Sequence, residues 1–264
     1  MGSTWVRRNN GAASGEIMNL IIARAASELG CRSVAFTYND PVIFHEYAVD
    51  VAQACREVGI KAVAVTAGYV CPEPRNEFYR HMDAANIDLK AFTDEFYNKV
   101  TLSDLATVLE TLLYLKHETN VWFEITNLLI PGLNDSDAEL NEMTSWVVKE
   151  LGTDVPMHFT AFHPDYKMMD ISPTSPLTLT RAREIAHGNG VRYAYTGNVH
   201  DETGGSTYCH ECEGRLIGRD WYELTSWKLD EDGACTRCGT FCAGVFEATP
   251  GTWGAKRAPL RIAS

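Results

Sequence analysis

No apolar run in the 264 residues is long enough to cross a bilayer, since the stretch from Ile17 to Ala23 is interrupted by Asn19 and closed by Arg24. Arg7 and Arg8 are followed by Asn9, Asn10 and Gly11 instead of the apolar core of a secretory leader, and Val6 stands where N-myristoylation needs Ser or Thr. The sequence therefore predicts a cytoplasmic protein with no membrane attachment. Positive charge is scarce: 23 basic against 35 acidic residues leave a net charge of -12, which repels a phosphate backbone and excludes nucleic acid as a general partner. Twenty glycines and ten prolines are too few for a collagenous or low-complexity chain. No phosphate-binding G-x-x-x-x-G-K-S/T and no strand-linked G-x-G-x-x-G occurs, and neither His45-Glu46 nor His117-Glu118 has the second histidine of a metalloprotease helix. Eight cysteines in a reducing compartment read as thiols or metal ligands before disulfides.

What is present, up to about residue 200, is an alternation of short apolar runs and longer amphipathic stretches. Met18, Ile21, Ile22, Ala25 and Leu29 share a helical face that Gly30 can close; Val34-Ala35-Phe36 reads as a buried strand. Ile43 to Val58 repeats at helical spacing before Gly59 and the strand-like Ala62 to Val65. Further strands are expected at Asn86 to Leu89, Val121 to Ile130, Met157 to Phe162 and Val191 to Tyr195, with helices between them. Asn134-Asp135-Ser136 reads as a turn and helix N-cap. Parallel neighbours require long crossovers, so this order predicts an α/β fold: a partial (β/α)6 barrel over residues 1–202 with a small four-cysteine metal ribbon over 203–264. The pattern opens on a helix with no strand before it, which leaves one sheet edge unpaired. In a parallel barrel, chemistry gathers where strands end. The residues there are polar: Thr37, Asn39 and Asp40; Thr66, Gly68 and Tyr69; Asp88 and Lys90; Glu124, Thr126 and Asn127; His163 and Asp165; Thr196 and Asn198. Glu124, Asn127 and Tyr69 are candidates for substrate contact, with core packing the equal alternative.

Past residue 203 the helical period stops. Cys209-His210-Glu211-Cys212, then 22 residues, then Cys235-Thr236-Arg237-Cys238 give two C-x-x-C knuckles. Four soft thiolates at that separation suit one tetrahedral metal, zinc or iron, and a lobe without helices needs such a staple. Cys31, Cys55 and Cys242 read as small buried hydrophobes.

These features also come in a familiar order. Phe36-Thr37-Tyr38-Asn39-Asp40-Pro41, Asp88-Leu89-Lys90, Ile130-Pro131-Gly132-Leu133-Asn134-Asp135, Phe162-His163-Pro164, Asp165-Tyr166-Lys167-Met168 and Gly205-Ser206-Thr207-Tyr208-Cys209 resemble radical S-adenosylmethionine enzymes, in particular the AmmeMemoRadiSam-system branch, itself similar to pyruvate formate-lyase activating enzymes. The resemblance runs from about Gly30 to Trp253. It implies that Asn39 and Asp40 take the place of a Gly-Gly-Glu-Pro step meeting the methionine amino group, that Thr66 and Gly68 match a Thr-Asn-Gly step, that Asp88 and Lys90 are a cofactor-side pair, and that His163 lines the adenosine. It further implies S-adenosylmethionine as cofactor, an electron donor, hydrogen abstraction from a substrate, and a protein substrate or partner.

Two departures stand out. Asp40 is one methylene shorter than the family's Glu and keeps the carboxylate. The three cysteines spaced C-x-x-x-C-x-x-C that hold the family's four-iron cluster are missing: Cys31, Cys55 and Cys71 lie 24 and 16 positions apart. Because that motif follows the first strand in the family, the expectation is an N-terminally truncated chain that holds a 4Fe-4S cluster only with the missing segment. Two alternatives accompany it: a catalytically inactive barrel that binds a ligand or partner and carries a structural zinc ribbon, and an auxiliary iron–sulfur cluster on the four C-terminal cysteines.

Overall fold

The structure, a computed structural model, describes residues 15–252 and Gly254. Met1-Gly2, Val6, Arg7, Arg8 and Trp253 lie outside the described residues. Six strands follow one another in space in chain order: β1 (Ser33–Phe36), β2 (Lys61–Thr66), β3 (Ala84–Asp88), β4 (Trp122–Leu129), β5 (Met157–Ala161) and β6 (Ala194–Gly197). Every adjacent pair is parallel, so each connection must cross over, and the crossovers supply the helices. Helix α1 (Gly15–Glu28) precedes β1; α2 (His45–Glu57), α3 (Pro72–Tyr79), α4 (Asp94–Phe96), α5 (Leu105–Glu118), α6 (Asp137–Trp146) and α7 (Pro176–Gly188) fill the later connections. Among the described residues β1 pairs with β2 alone.

Local chemistry fixes where the helices begin. Asp104, Ser136 and Ser175 are N-caps whose side chains accept from the backbone N–H of Thr107, Glu139 and Leu177, respectively. The Ser136 cap bears out the turn read at Asn134-Asp135-Ser136. On α5 the residues Leu105, Val108, Leu112 and Leu115 form the buried stripe that packs on the sheet. Strands β2, β3, β4 and β6 alternate strictly. On β4, Phe123, Ile125, Asn127 and Leu129 are buried, whereas Trp122, Glu124, Thr126 and Leu128 are half-buried. The buried set points at the helix layer, where Asn127 lies 3.7 Å from the Met143 sulfur of α6; the other set lines the concave face of an open arc.

One strand is displaced from its reading. The apolar residues Val191 and Tyr193 precede β6: the Val191 N–H bonds back to Ala186 at the end of α7, and Tyr193 packs into the C-terminal core. That core belongs to a second, antiparallel sheet of β7 (Thr207–Tyr208), β8 (Arg215–Asp220) and β9 (Glu223–Trp227), reached through α8 (Glu202–Gly205). Leu216, Ile217, Leu229 and Cys242 gather there around the cysteines. No helix among the described residues is long and apolar enough to cross a membrane.

Candidate functional site

The ends of β1 and β2 are joined by one carboxylate. Asp40 caps the 3-10 turn Pro41–Phe44 by accepting from the Val42 N–H at 3.1 Å, and the same oxygen accepts from the Thr66 hydroxyl at 2.7 Å. Its other oxygen accepts from the Ala67 N–H at 2.8 Å. Three of the roughly four acceptor positions of a carboxylate are thus used, and one remains for an ammonium or hydroxyl. Thr66 in turn accepts from the Gly68 N–H at 3.1 Å. Gly68 has φ +77°, and a Cβ there would sit 3.2 Å from the Ile87 methyl, so the loop lies flat on β3 only with glycine.

At the next strand end, Lys90 Nζ donates to Asp88 at 2.7 Å, with both side chains partly exposed. The Lys90 backbone is held from three sides. Its N–H donates to the Tyr97 hydroxyl, and its carbonyl accepts from the amides of Asn127 and Asn134. Burial pushes the Tyr97 hydroxyl well above its usual pKa, so it stays protonated. Asn134 is the strut that sequence reading missed as an individual residue: buried, it also accepts from the Ile130 N–H at 2.6 Å and donates to the Leu128 carbonyl at 2.9 Å. An asparagine two positions after Pro131-Gly132 was the available signal.

Asn39 is exposed on the β1 loop, and His163 is exposed on the β5 loop with Nδ1 near the Pro164 carbonyl. The structure therefore brings Asp40, Thr66 and Gly68 into one bonded unit and Asp88 and Lys90 into a second on the adjacent strand, and it leaves His163 two strands further along the same end. Of the three candidates for substrate contact, only Glu124 lines the concave face. Asn127 faces the helix layer because its parity on β4 is opposite, and Tyr69 bonds its hydroxyl to Ser103 and sets its ring edge-on to Tyr97.

The four cysteines converge. One sulfur from each of Cys209, Cys212, Cys235 and Cys238 lies within 4.8 Å of the others. Sulfurs held at about 2.3 Å from one tetrahedral zinc would stand about 3.8 Å apart. The pairs Cys209–Cys238 and Cys212–Cys235 are 3.6 and 3.7 Å apart, so the set fits such an ion. Among the described residues this is the one group of metal-ligating side chains of its kind. Cys31 is half-buried before β1, Cys55 is buried in α2, and Cys71 is exposed at the N-cap of α3, so these three do not fit a cluster loop. Burial raises the Cys55 thiol to a pKa of about 11, as suits a core residue.

A parallel arc with polar strand ends is an architecture shared by many enzymes, and comparison with known proteins narrows it. Residues 15–143 match the radical SAM superfamily. Around this radical SAM domain the chain is 38% identical over 219 residues to the Methanocaldococcus jannaschii protein MJ0808, covering 83% of this chain and 65% of that one. It is 25% identical over 176 residues to the 4-hydroxyphenylacetate decarboxylase activating enzyme of Clostridioides difficile, covering 63% and 55%. The pyruvate formate-lyase-activating enzyme of Clostridium pasteurianum shares 23% over 155 residues, covering 52% and 61%. The chain thus spans about 55 to 65% of the length of these relatives. Among solved structures, a domain of a pyruvate-formate lyase-activating enzyme from Bacteroides vulgatus superimposes with TM-score 0.55 at 18% identity, over 63% of this chain and 99% of that one. Streptococcus suis SuiB bound to S-adenosylmethionine gives 0.57 at 14%, over 74% and 46%. The fold is that of radical SAM barrels.

Proposed function

We propose that this chain is the S-adenosylmethionine-binding barrel of a radical SAM enzyme of the AmmeMemoRadiSam-system branch, with the barrel in residues 1–202 and a metal lobe in 203–264. The observation that carries the reading is the Asp40 carboxylate, fixed by three hydrogen bonds between the ends of β1 and β2 with an acceptor position to spare. Asp40 and Asn39 would take the methionine ammonium, the Thr66–Gly68 loop would lie along the cofactor, Asp88 and Lys90 would flank it, and His163 would close on the adenosine. Reduced by one electron, the bound cofactor supplies hydrogen-atom abstraction from a C–H bond.

The protein's own share is positioning. The Asp40 carboxylate is oriented before any ligand arrives, so little order remains to be lost on binding. Asn134 and Asn127 hold the Lys90 carbonyl and with it the loop that carries the lysine. Relatives named as activating enzymes support a protein substrate for this chain, and the four-thiolate centre supports a reducing, cytoplasmic setting. Cys31, Cys55 and Cys71 do not group, so one-electron reduction needs a centre and a donor outside the described residues. That scatter also favours a second reading, a barrel that binds a nucleoside-like ligand without radical chemistry.

Calorimetric titration with S-adenosylmethionine tests the site. The chain should bind it, and Asp40→Asn should weaken binding at least about tenfold, the loss of one charge-assisted contact of ~1.5–3 kcal/mol. Equal affinity in the two proteins would overturn the assignment.

A further inference from the structure

The concave face carries a second polar cluster, towards the N-terminal ends of β4, β5 and β6 and apart from the loops that follow the strands. Glu124 of β4 and His158 of β5 meet at 2.6 Å between Oε2 and Nε2, and the other Glu124 oxygen accepts from Trp122 Nε1 at 3.3 Å. The His158 ring stacks on Tyr195 of β6, with centroids 5.0 Å apart at 25°. Tyr195 meets the Thr207 hydroxyl at 3.0 Å. Over the Tyr195 ring, 5.7 Å from its centroid, lies the guanidinium of Arg219, which donates from Nη1 to Thr207 at 2.7 Å and to the Gly205 carbonyl at 3.4 Å.

Three properties make this cluster a receptor. It is open: Glu124 and His158 keep 31% and 30% of their side-chain surface exposed. It holds a cation without a close ion pair: the Glu124 carboxylate takes its hydrogen bonds from His158 and Trp122, whereas Arg219 forms no ion pair with any carboxylate among the described residues. It is also fixed, since β4, β5 and β6 set the first three side chains and the β7–β8 hairpin sets Arg219. The turn of that hairpin is the Cys209–Cys212 knuckle, closed by the Cys209 N–H on the Gly214 carbonyl. The metal centre therefore shapes the arm that carries Arg219 over the barrel.

We propose that Arg219 and His158 bind a carboxylate of the substrate on the concave face, and that the metal lobe holds Arg219 there. A planar monoanion matches the guanidinium fork. A dianionic phosphate would face the Glu124 charge across His158, which disfavours it. As the substrate's site the cluster rests on the reading that the strand ends hold S-adenosylmethionine; as a carboxylate site it stands alone.

The experiment uses the full, zinc-loaded chain. Benzoate and its neutral isostere benzamide are titrated by calorimetry while the His158 imidazole is followed by NMR, and a peptide with a free C-terminal carboxylate is compared with its amidated form. Benzoate is expected to bind and shift the His158 resonances, with benzamide at least tenfold weaker. A free-carboxylate peptide tighter than benzoate identifies a peptide as the source of the group, and the reverse identifies a small acid; both support the site. Arg219→Gln should weaken benzoate at least tenfold and leave S-adenosylmethionine affinity unchanged, Arg219→Lys should retain part of the binding, and Cys235→Ser should act like Arg219→Gln. Equal binding of benzoate and benzamide, no binding of either, or benzoate affinity unchanged in Arg219→Gln would overturn the proposal. Failure to bind S-adenosylmethionine with benzoate binding intact would overturn the strand-end reading and leave the carboxylate site standing.

Discussion

Asp40 and Thr66, 26 positions apart in the chain, meet at 2.7 Å and tie the first two strand ends together. The bond closes a loop through α2, so the geometry of the candidate cofactor face depends on a contact made within the protein itself. In Asp40→Asn, one oxygen becomes a donor and faces either the Ala67 or the Val42 N–H. A loss of ~1–3 kcal/mol in urea-unfolding free energy is expected, and an unchanged midpoint would show that the bridge contributes nothing.

Asn134→Ala removes hydrogen bonds to Ile130, Leu128 and Lys90 at a buried position. The orphaned backbone groups should cost about 3 kcal/mol, read by the same unfolding titration. A loss below ~0.5 kcal/mol would mean that water replaces the amide fully.

The Glu124–His158 pair sets a pH dependence. Burial pushes the Glu124 carboxyl up, but the hydrogen bond and charge of His158, helped by Trp122 and Arg219, outweigh it and hold the pKa below the ordinary 4.5. A depressed folded-state pKa contributes stability above the unfolded value and loses it as pH falls through the folded one. The melting temperature of the protein should therefore exceed that of Glu124→Gln at pH 7, and the gap should shrink as pH drops below about 4.5. A constant gap down to pH 3 would contradict this.

Cys235→Ser should abolish stoichiometric metal binding, measured by elemental analysis, and loosen the lobe around Leu216, Ile217 and Leu229. A four-sulfur site that loses one ligand loses most of its affinity, and in a lobe this small metal binding and folding are coupled. Zinc alone in the purified protein identifies a structural centre; iron with acid-labile sulfide identifies an auxiliary cluster. Full metal content together with an unaltered melting curve would refute the four-ligand assignment.

Residues 1–264, reconstituted anaerobically with iron and sulfide and then reduced, should yield no 5′-deoxyadenosine from S-adenosylmethionine. The reason is the scatter of Cys31 before β1, Cys55 within α2 and Cys71 at the N-cap of α3. Turnover by this chain alone would show that other residues hold the reducing centre.

The strand and helix order was legible because each element here carries its own period: alternation on β4, a 3–4 spacing on α5, and Gly59 with φ +75° after α2. The four-cysteine centre was legible because its ligand spacing is local. At β6 the signal misled, since Val191 and Tyr193 are apolar for reasons outside the strand: one covers the end of α7 and the other serves the small lobe. Asn127 misled for a related reason, because strand-end polarity does not say which face a residue takes, and a buried asparagine can serve two backbone carbonyls from the helix side. Arg219 was invisible as a site residue. Its partner Tyr195 lies 24 positions earlier in the chain, and only the fold of the hairpin brings the guanidinium over that ring.

The alternation along β4 also divides what mutation can do. Phe123, Ile125 and Leu129 answer to the helices, and a change there is felt as stability; Trp122, Glu124, Thr126 and Leu128 answer to whatever enters the arc. Two kinds of constraint are thus interleaved on alternate positions of one eight-residue strand, packing on one face and the concave surface on the other. A slip of one position would swap the two sets and spoil both, so the register of β4 is the least negotiable feature of the barrel.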